Sequence, residues 1–164
     1  MMTEPERSID IDPEPTTRIT VETRFGVFEA DLRDMVTFPD GLPGFETCRR
    51  FVVLSSLEMA PIQCLHAVDG APASFLAIDP RLVLPSYRSV LSQADKLRLG
   101  IADEAALLWL ALVTVAEDNS GTVNLRAPIV INPARMTGFQ VMPHNSLYPL
   151  RYPLGGSDRE TEKG

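Results

Sequence analysis

The stretch LLWLALVTVAEDNSGTVNL, residues 107–125, decides the fold. Its first part, Leu107–Ala116, is apolar apart from Thr114, and a run of that length can be a buried strand or a buried helix. The residues that follow decide between the two. The segment DNSG at 118–121 consists of turn formers, and Thr122–Leu125 returns to β-forming residues. We therefore predict a strand, a tight turn and a second strand that pairs with the first.

Short β-type segments bounded by turn formers recur along the rest of the chain. Further strands are predicted over Thr20–Arg24, Gly26–Asp31, Met35–Phe38, Phe51–Ser55, Gln63–Val68, Ser74–Ile78, Pro128–Asn132 and Gly138–Met142. A short helix is predicted to begin at Ser92 and to stop at Gly100, with one more helical turn at Ala102–Ala106. The predicted strands are ten segments, or nine if Gly26 is a bulge or kink within one long strand over residues 20–31. With little helix, they predict a mainly β fold, a small antiparallel β-barrel-like domain with one or two short helices.

Residues 18–154 are predicted to form this barrel domain between two flexible tails. The tails, residues 1–17 and 155–164, are rich in Pro, Gly, Ser, Thr and charged residues, which is typical of segments that do not pack into a core. The net charge is −7 over 164 residues, and the N-terminal tail carries five acidic side chains against one arginine. This acidic balance disfavours direct nucleic-acid binding, which commonly uses a basic stripe, and suits a basic protein partner.

The chain lacks the signals of secretion or membrane insertion. Its N-terminus has neither the basic nor the apolar region of a secretory signal. The longest apolar run, Ala105–Ala116, is too short to cross a bilayer as a helix. Cys48 and Cys64 do not make a disulfide framework. We therefore expect a cytoplasmic protein that does not enter membranes.

The segment FPDGLPGFE, residues 38–46, combines turn formers with large apolar side chains. A nucleotide-binding phosphate loop carries a Lys-Ser or Lys-Thr pair after its last glycine. Here Gly44 is followed by Phe45 and Glu46, and the Glu46 carboxylate repels phosphate. Two successive turns account for the glycines and prolines. They leave two alternatives for Leu42 and Phe45: these side chains either close the end of the barrel or form an apolar patch for a partner.

Cys64 and His66 fall on one face of a predicted strand, because side chains alternate along a strand. With Cys48 or His144 added, the pair could bind a metal, and His66 could also act as the base for a thiol nucleophile. The spacing is not that of the known structural zinc sites, and a free cysteine is commonly a small buried hydrophobe. We expect no metal and no cofactor, and a small-barrel metal-binding or thiol enzyme is the alternative hypothesis.

Three further features have plain structural interpretations. Asp79 precedes a proline, which favours a turn-forming role. Trp109, the single tryptophan, lies in the apolar run and is predicted to be core. In SLYPLRYPL, residues 146–154, the prolines at 149 and 153 discourage regular pairing and predict an edge strand or an extended arm packed on the barrel.

Several motifs together resemble those of the flagellar assembly factor FliW family. They are TRFGVFEA at 23–30, VTFPDGLPGFE at 36–46, FLAIDP at 75–80, LVTV at 112–115 and TVNLRAPIVIN at 122–132. The resemblance is collinear from about Thr20 to Leu154. Arg126 stands where the family often has Gln, and His66 lies in a segment that often reads Leu-Gln-Ser.

The resemblance implies a small β-barrel-like fold without catalytic activity. Family members bind the carbon storage regulator CsrA, a basic RNA-binding dimer that blocks translation of the flagellin message, and they also bind flagellin. Free FliW removes CsrA from the message, whereas accumulating flagellin occupies FliW and restores repression. The protein is accordingly expected to be a CsrA antagonist that binds flagellin, and a monomer when free.

Seven residues of the family-like motifs are predicted to contact a partner. They are Leu42, Pro43, Phe45, Glu46, Asn124, Arg126 and Asn132. Asn124 and Arg126 are predicted to face solvent together, because alternation along a strand puts them opposite Leu125. For Asn124, Arg126 and Asn132, the alternative is an ordinary structural role within the sheet.

Overall fold

A closed ring of strands forms the centre of the fold, which the computed structural model describes for residues 17–101 and 103–154. Apart from Thr17, the two predicted tails lie outside these residues, and so does Ala102. The mainly β class predicted from the sequence is confirmed. No helix within the described ranges is long and apolar enough to span a membrane.

The described residues contain eleven strands, two α-helices and two 3-10 turns. The strands are β1 (Arg18–Thr23), β2 (Gly26–Asp31), β3 (Val36–Thr37), β4 (Arg50–Leu54), β5 (Gln63–Ala67), β6 (Ser74–Ile78), β7 (Leu108–Val115), β8 (Gly121–Val123), β9 (Ile129–Asn132), β10 (Thr137–Gln140) and β11 (Tyr152–Leu154). The helices are α1 (Pro80–Val83) and α2 (Gln93–Leu99), and the 3-10 turns are Leu32–Asp34 and Glu104–Ala106.

Seven of these strands close into a barrel. Strands β3 to β7 pair in sequence order, β7 pairs with β9, and β9 pairs with β10. The ring closes where β10 lies parallel to β3, with Thr137 opposite Thr37. Every other pair of neighbours in the barrel is antiparallel. Closure therefore joins an early strand to a late one.

Strand β7, the longest at eight residues, pairs with β6 on one edge and has room for two partners along the other. Its first half pairs with β9, with Trp109 opposite Val130, and its second half pairs with β8, with Thr114 opposite Thr122. The strand–turn–strand prediction for residues 107–125 is thus confirmed. Strand β11 pairs with the free edge of β8. Because β11 is itself an edge strand, the missing N–H of Pro153 breaks no hydrogen bond between central strands.

The two ends of the barrel differ. At one end, which we call the turn end, residues 38–46 follow β3 and lie against the barrel. At the other, which we call the loop end, residues 55–62 join β4 to β5 and residues 133–136 join β9 to β10. The interior between them is filled by large apolar side chains of the kind that sheet faces bury together. Its fully or almost fully buried members include Phe38, Leu42, Phe51, Leu65, Ile129 and Ile131.

The β1–β2 hairpin covers part of the outer face of the barrel. Its side chains Val21 and Phe28 pack against Val52, Leu54 and Cys64 of β4 and β5. The hairpin turn is Arg24-Phe25, since Thr23 lies opposite Gly26. Cys64 is therefore buried beneath the hairpin and not in the barrel interior.

Two sequence expectations need correction. The strand predicted over Thr122–Leu125 ends at Val123, because the Asn124 side chain accepts hydrogen bonds from the backbone N–H groups of Arg126 and Ala127 and turns the chain. Helix α1 was not predicted. Asp79, expected to form a turn, instead caps this helix by accepting a hydrogen bond from the Arg81 N–H at 2.9 Å, with Pro80 at its first position.

Candidate functional site

The turn of residues 38–46 is held by its own backbone. The Gly41 N–H donates to the Phe38 carbonyl at 2.9 Å and the Phe45 N–H to the Leu42 carbonyl at 2.7 Å, which makes the two successive turns that the sequence predicts. The Glu46 carboxylate accepts from the Gly44 N–H at 3.0 Å, and this hydrogen bond lowers the pKa of the Glu46 carboxyl. Glu46 thus stabilises the second turn.

An ion pair connects the turn to helix α2. The Asp40 carboxylate lies 2.5 Å from the Arg98 guanidinium, which also pairs with Asp95 at 3.3 Å. The same guanidinium sits 4.0 Å from the centroid of the Phe139 ring. Arg98 thus contacts the turn through Asp40 and strand β10 through Phe139, although the Asp40–Arg98 pair is largely exposed and contributes little stability by itself.

Leu42 and Phe45 lie on opposite sides of the turn. Leu42 is 2% exposed and packs with Phe38 and Phe51 inside the barrel. Phe45 is 39% exposed and meets the Phe75 ring edge to face, with 5.0 Å between centroids. Leu42 therefore closes the turn end, whereas Phe45 remains at the surface together with Pro43 and Glu46.

Beside Phe45 lies a groove of about 310 Å³. We call it the turn groove, and its lining includes Arg24, Phe45, His66, Pro72, Ser74 and Phe75. The Nδ1 atom of His66 lies 2.7 Å from the Ser74 hydroxyl oxygen, and burial lowers the pKa of the imidazole. The lining, which also includes Glu22 and Thr23, mixes aromatic with polar and charged side chains, as protein-binding surfaces commonly do. Sequence analysis missed Arg24 and Phe75, which become neighbours of Phe45 only through the fold.

The second group of predicted residues has internal partners. Asn124 accepts hydrogen bonds from the Arg126 and Ala127 N–H groups, each at 3.0 Å. The exposed Arg126 donates from Nε to the Tyr148 carbonyl at 2.8 Å. These contacts tie the C-terminal segment to the barrel, which is the packed arm that the sequence predicts.

Asn132 is 1% exposed and joins two elements. Its Nδ2 donates to the Leu99 carbonyl at the end of α2, at 2.7 Å, and its Oδ1 accepts from the Ala134 N–H at 3.0 Å. The buried Leu42 and Asn132 thus present no side-chain surface to a partner, and the structure does not bring all seven predicted residues into one site.

Cys64 and His66 do lie on one strand, but their environment does not suit thiol chemistry. Cys64 is fully buried, and its burial raises the pKa of the thiol, so that less thiolate is present at neutral pH. His66 is directed to Ser74. Among residues 17–101 and 103–154, no three His, Cys, Asp or Glu side chains are grouped so that they could hold a metal ion.

Fold and surface together define a small protein of the β-barrel class with a surface groove beside the turn of residues 38–46. Residues 19–154 match the family model described as FliW protein. The chain belongs to the FliW family.

Similarity to individual relatives extends over most of the chain. It is 36% identical over 135 residues to the flagellar assembly factor FliW of Syntrophotalea carbinolica, which covers 82% of this chain and 96% of that protein. It is 35% identical over 132 residues to the flagellar assembly factor FliW of Natranaerobius thermophilus, covering 79% and 87%. A crystal structure of the flagellar assembly factor FliW superposes with a TM-score of 0.73 and 32% identity, covering 84% of this chain and 96% of that one.

Proposed function

We propose that the protein is a non-catalytic flagellar assembly factor that binds the translational regulator CsrA and, alternatively, flagellin. Binding to CsrA relieves repression of flagellin translation, and flagellin releases CsrA by occupying the protein. The observation that carries the proposal is the match to the FliW family over residues 19–154, almost the entire described fold. The protein acts in the cytoplasm and is monomeric when free.

The physical features of the chain agree with a basic partner such as CsrA. The net charge of −7 speeds encounter with a positively charged protein and keeps the chain off phosphate backbones. The hydrogen-bonded turn of residues 38–46 has Pro43, Phe45 and Glu46 exposed, and Phe45 lines the turn groove. We propose these three residues, with Arg126, as contact residues.

The direct test is calorimetric titration of the purified protein with CsrA and, separately, with flagellin. We expect dissociation constants of about 1 μM or below for each partner. Addition of the protein to a complex of CsrA with flagellin message should free the message, and flagellin added next should reverse that release. Failure to bind either partner at micromolar concentration contradicts the proposal.

The contact residues are tested with a matched pair of substitutions. Phe45→Ala removes a half-exposed ring from the proposed contact surface, whereas Val90→Ala removes an exposed apolar side chain, 74% accessible, elsewhere. We expect Phe45→Ala to weaken binding of at least one partner about 10-fold and Val90→Ala to leave both unchanged. Equal affinities for the two variants remove the turn from the proposed surface. The contribution of residues 1–17 is measured by the same titrations on a chain that lacks them.

A further inference from the structure

The loop end of the barrel contains a pocket of about 430 Å³ that the proposed contact residues do not reach. We call it the loop-end pocket. Val36, Leu110 and Ile131 form its floor, and these three residues also belong to the buried barrel interior. Val53 and Met136 line its sides. Leu42 packs inside the turn end, whereas at the loop end the pocket lies directly over the buried interior.

The lining of the pocket includes an exposed apolar side chain. Leu108 lines the pocket and is 53% exposed. An exposed leucine beside an apolar pocket is typical of a protein-docking surface, since a small ligand in the pocket would leave that leucine in water.

The charged residues that line the pocket are Asp34, Asp79 and Arg81. Arg81 is engaged by Asp79, with 3.4 Å between Nε and Oδ1. The Asp34 carboxylate makes no ion pair with any described residue, so the lining keeps one uncompensated negative charge. A partner that fills the pocket therefore gains most if it brings a positive charge close to Asp34.

From the apolar floor, the exposed Leu108 and the unpaired Asp34 carboxylate, we infer that the loop-end pocket docks a segment of a basic protein. That segment inserts one large apolar side chain and places a lysine or arginine beside Asp34. The inference rests on the proposed function, because it assigns a second surface to a protein-binding factor. A small apolar ligand is the competing occupant. A pocket built for such a ligand would not prefer a positively charged probe over a negatively charged one.

Trp109, the single tryptophan of the chain, lines this pocket and also a neighbouring one that contains Tyr87 and Glu104, so its emission detects binding and the variants below locate it. The probes are three synthetic peptides, each about a dozen residues long: a lysine-rich peptide with a central Phe, the same peptide with Ser for Phe, and a glutamate-rich peptide with the Phe. We expect the first to shift the Trp109 emission and to bind at least about 10-fold more tightly than the other two. No binding of the first peptide, or equal binding of the acidic one, overturns the inference.

Two variants and two matched controls locate the binding. Leu108→Ser and Asp34→Lys should each weaken binding of the basic peptide about 10-fold. The controls should bind the basic peptide as tightly as the unaltered protein does. They are Val115→Ser, at the far end of the same strand and 51% exposed, and Glu117→Lys, an exposed charge reversal. Circular dichroism shows whether each variant is folded. If Leu108→Ser does not fold, Asp34→Lys, which changes an exposed site, still tests the inference. Equal weakening by the controls overturns the inference.

Titration of the same variants with CsrA and flagellin separates the two proposals. If the unaltered protein binds neither partner but still binds the basic peptide at the loop end, the proposed function fails and the pocket inference stands. If it binds its partners while Leu108→Ser and Asp34→Lys bind partners and peptide as tightly as the unaltered protein, the pocket inference fails and the proposed function stands.

Discussion

Two apolar residues of one turn, Leu42 and Phe45, have different environments. The Leu42 side chain enters the barrel and is 2% exposed, whereas Phe45 lies against Phe75 and keeps 39% of its surface accessible. The first residue therefore contributes to folding stability, and the second is available for contact. The turn geometry alone explains neither side chain. The sequence does not show which of the two is buried, because the direction of each side chain depends on how the turn packs on the barrel.

Leu42→Ala tests the role of Leu42 in closing the turn end. Removal of a buried leucine side chain costs about 2–5 kcal/mol in the free energy of unfolding, because apolar contacts are lost and a cavity is left. Urea denaturation followed by circular dichroism measures this change. Leu147→Ala is the control, since Leu147 is 97% exposed and its loss should stay within about 0.5 kcal/mol. Equal urea midpoints for Leu42→Ala and Leu147→Ala would contradict the role of Leu42 in closing the turn end.

His66 makes folding stability depend on pH. Burial holds the pKa of the His66 imidazole in the folded protein below its ordinary value of 6.5, so the unfolded chain takes up a proton first as the pH falls. The contribution of His66 is fully present above that value and is lost as the pH falls toward the folded-state pKa. We therefore expect the urea midpoint to decrease between pH 7.5 and pH 5.5, a window chosen around the ordinary histidine pKa of about 6.5.

The His66→Gln variant identifies the source of this dependence. Glutamine keeps a polar group that can reach Ser74 but does not titrate. The decrease in urea midpoint over the same pH window should therefore be smaller in the variant than in the unaltered protein. Identical pH dependence in the two proteins assigns the effect to other groups.

At the scale of elements, the turn of residues 38–46 depends on two glycines for different reasons. Both have positive φ, +65° at Gly41 and +84° at Gly44. A Cβ on Gly41 would lie 2.7 Å from the Glu46 Cα and 2.8 Å from the Phe45 carbonyl oxygen, which are backbone atoms that cannot rotate away. A Cβ on Gly44 would meet nothing within 4 Å. Gly41 is thus required for space as well as for conformation.

The pair Gly41→Ala and Gly44→Ala separates these two requirements. We expect Gly44→Ala to cost about 1–2 kcal/mol, the penalty of the left-handed conformation. Gly41→Ala should cost about 1–3 kcal/mol more, because the backbone must shift to admit the methyl group. Chemical denaturation of both variants gives the difference. A cost for Gly41→Ala no greater than that for Gly44→Ala contradicts the close approach of Gly41 to the backbone of Phe45 and Glu46.

Elements with strong local signals could be predicted, and elements defined by distant contacts could not. Helix α2 begins after the cap Ser92 and ends at Gly100, as its sequence indicates. Helix α1 has only four residues, too few to show a helical period. The shared face of Asn124 and Arg126 was inferred from a strand that ends before them, at Val123. For the candidate site, the sequence identified Phe45 but not Phe75 or Arg24, which the fold brings to it.

At the scale of the whole molecule, the acidic charge should control the rate of association with a basic partner. The chain carries −7 in total, and long-range attraction of this kind is screened as salt is added. We expect the association rate constant with CsrA to fall at least about 10-fold between roughly 50 and 500 mM NaCl, with a smaller change in the dissociation rate constant. Surface plasmon resonance measures both. A salt-independent association rate would falsify electrostatic steering by this chain.

The parallel pairing that closes the barrel has a consequence for the timing of folding. Thr37 and Thr137, which meet across β3 and β10, are one hundred residues apart in the chain. At about 5–20 residues per second, a ribosome needs on the order of 5–20 s to make the intervening segment. Throughout that interval β3 has no closing neighbour, and its edge is only two residues long, a length that limits pairing with other chains. The barrel therefore cannot close until the last of its strands, β10, has been made.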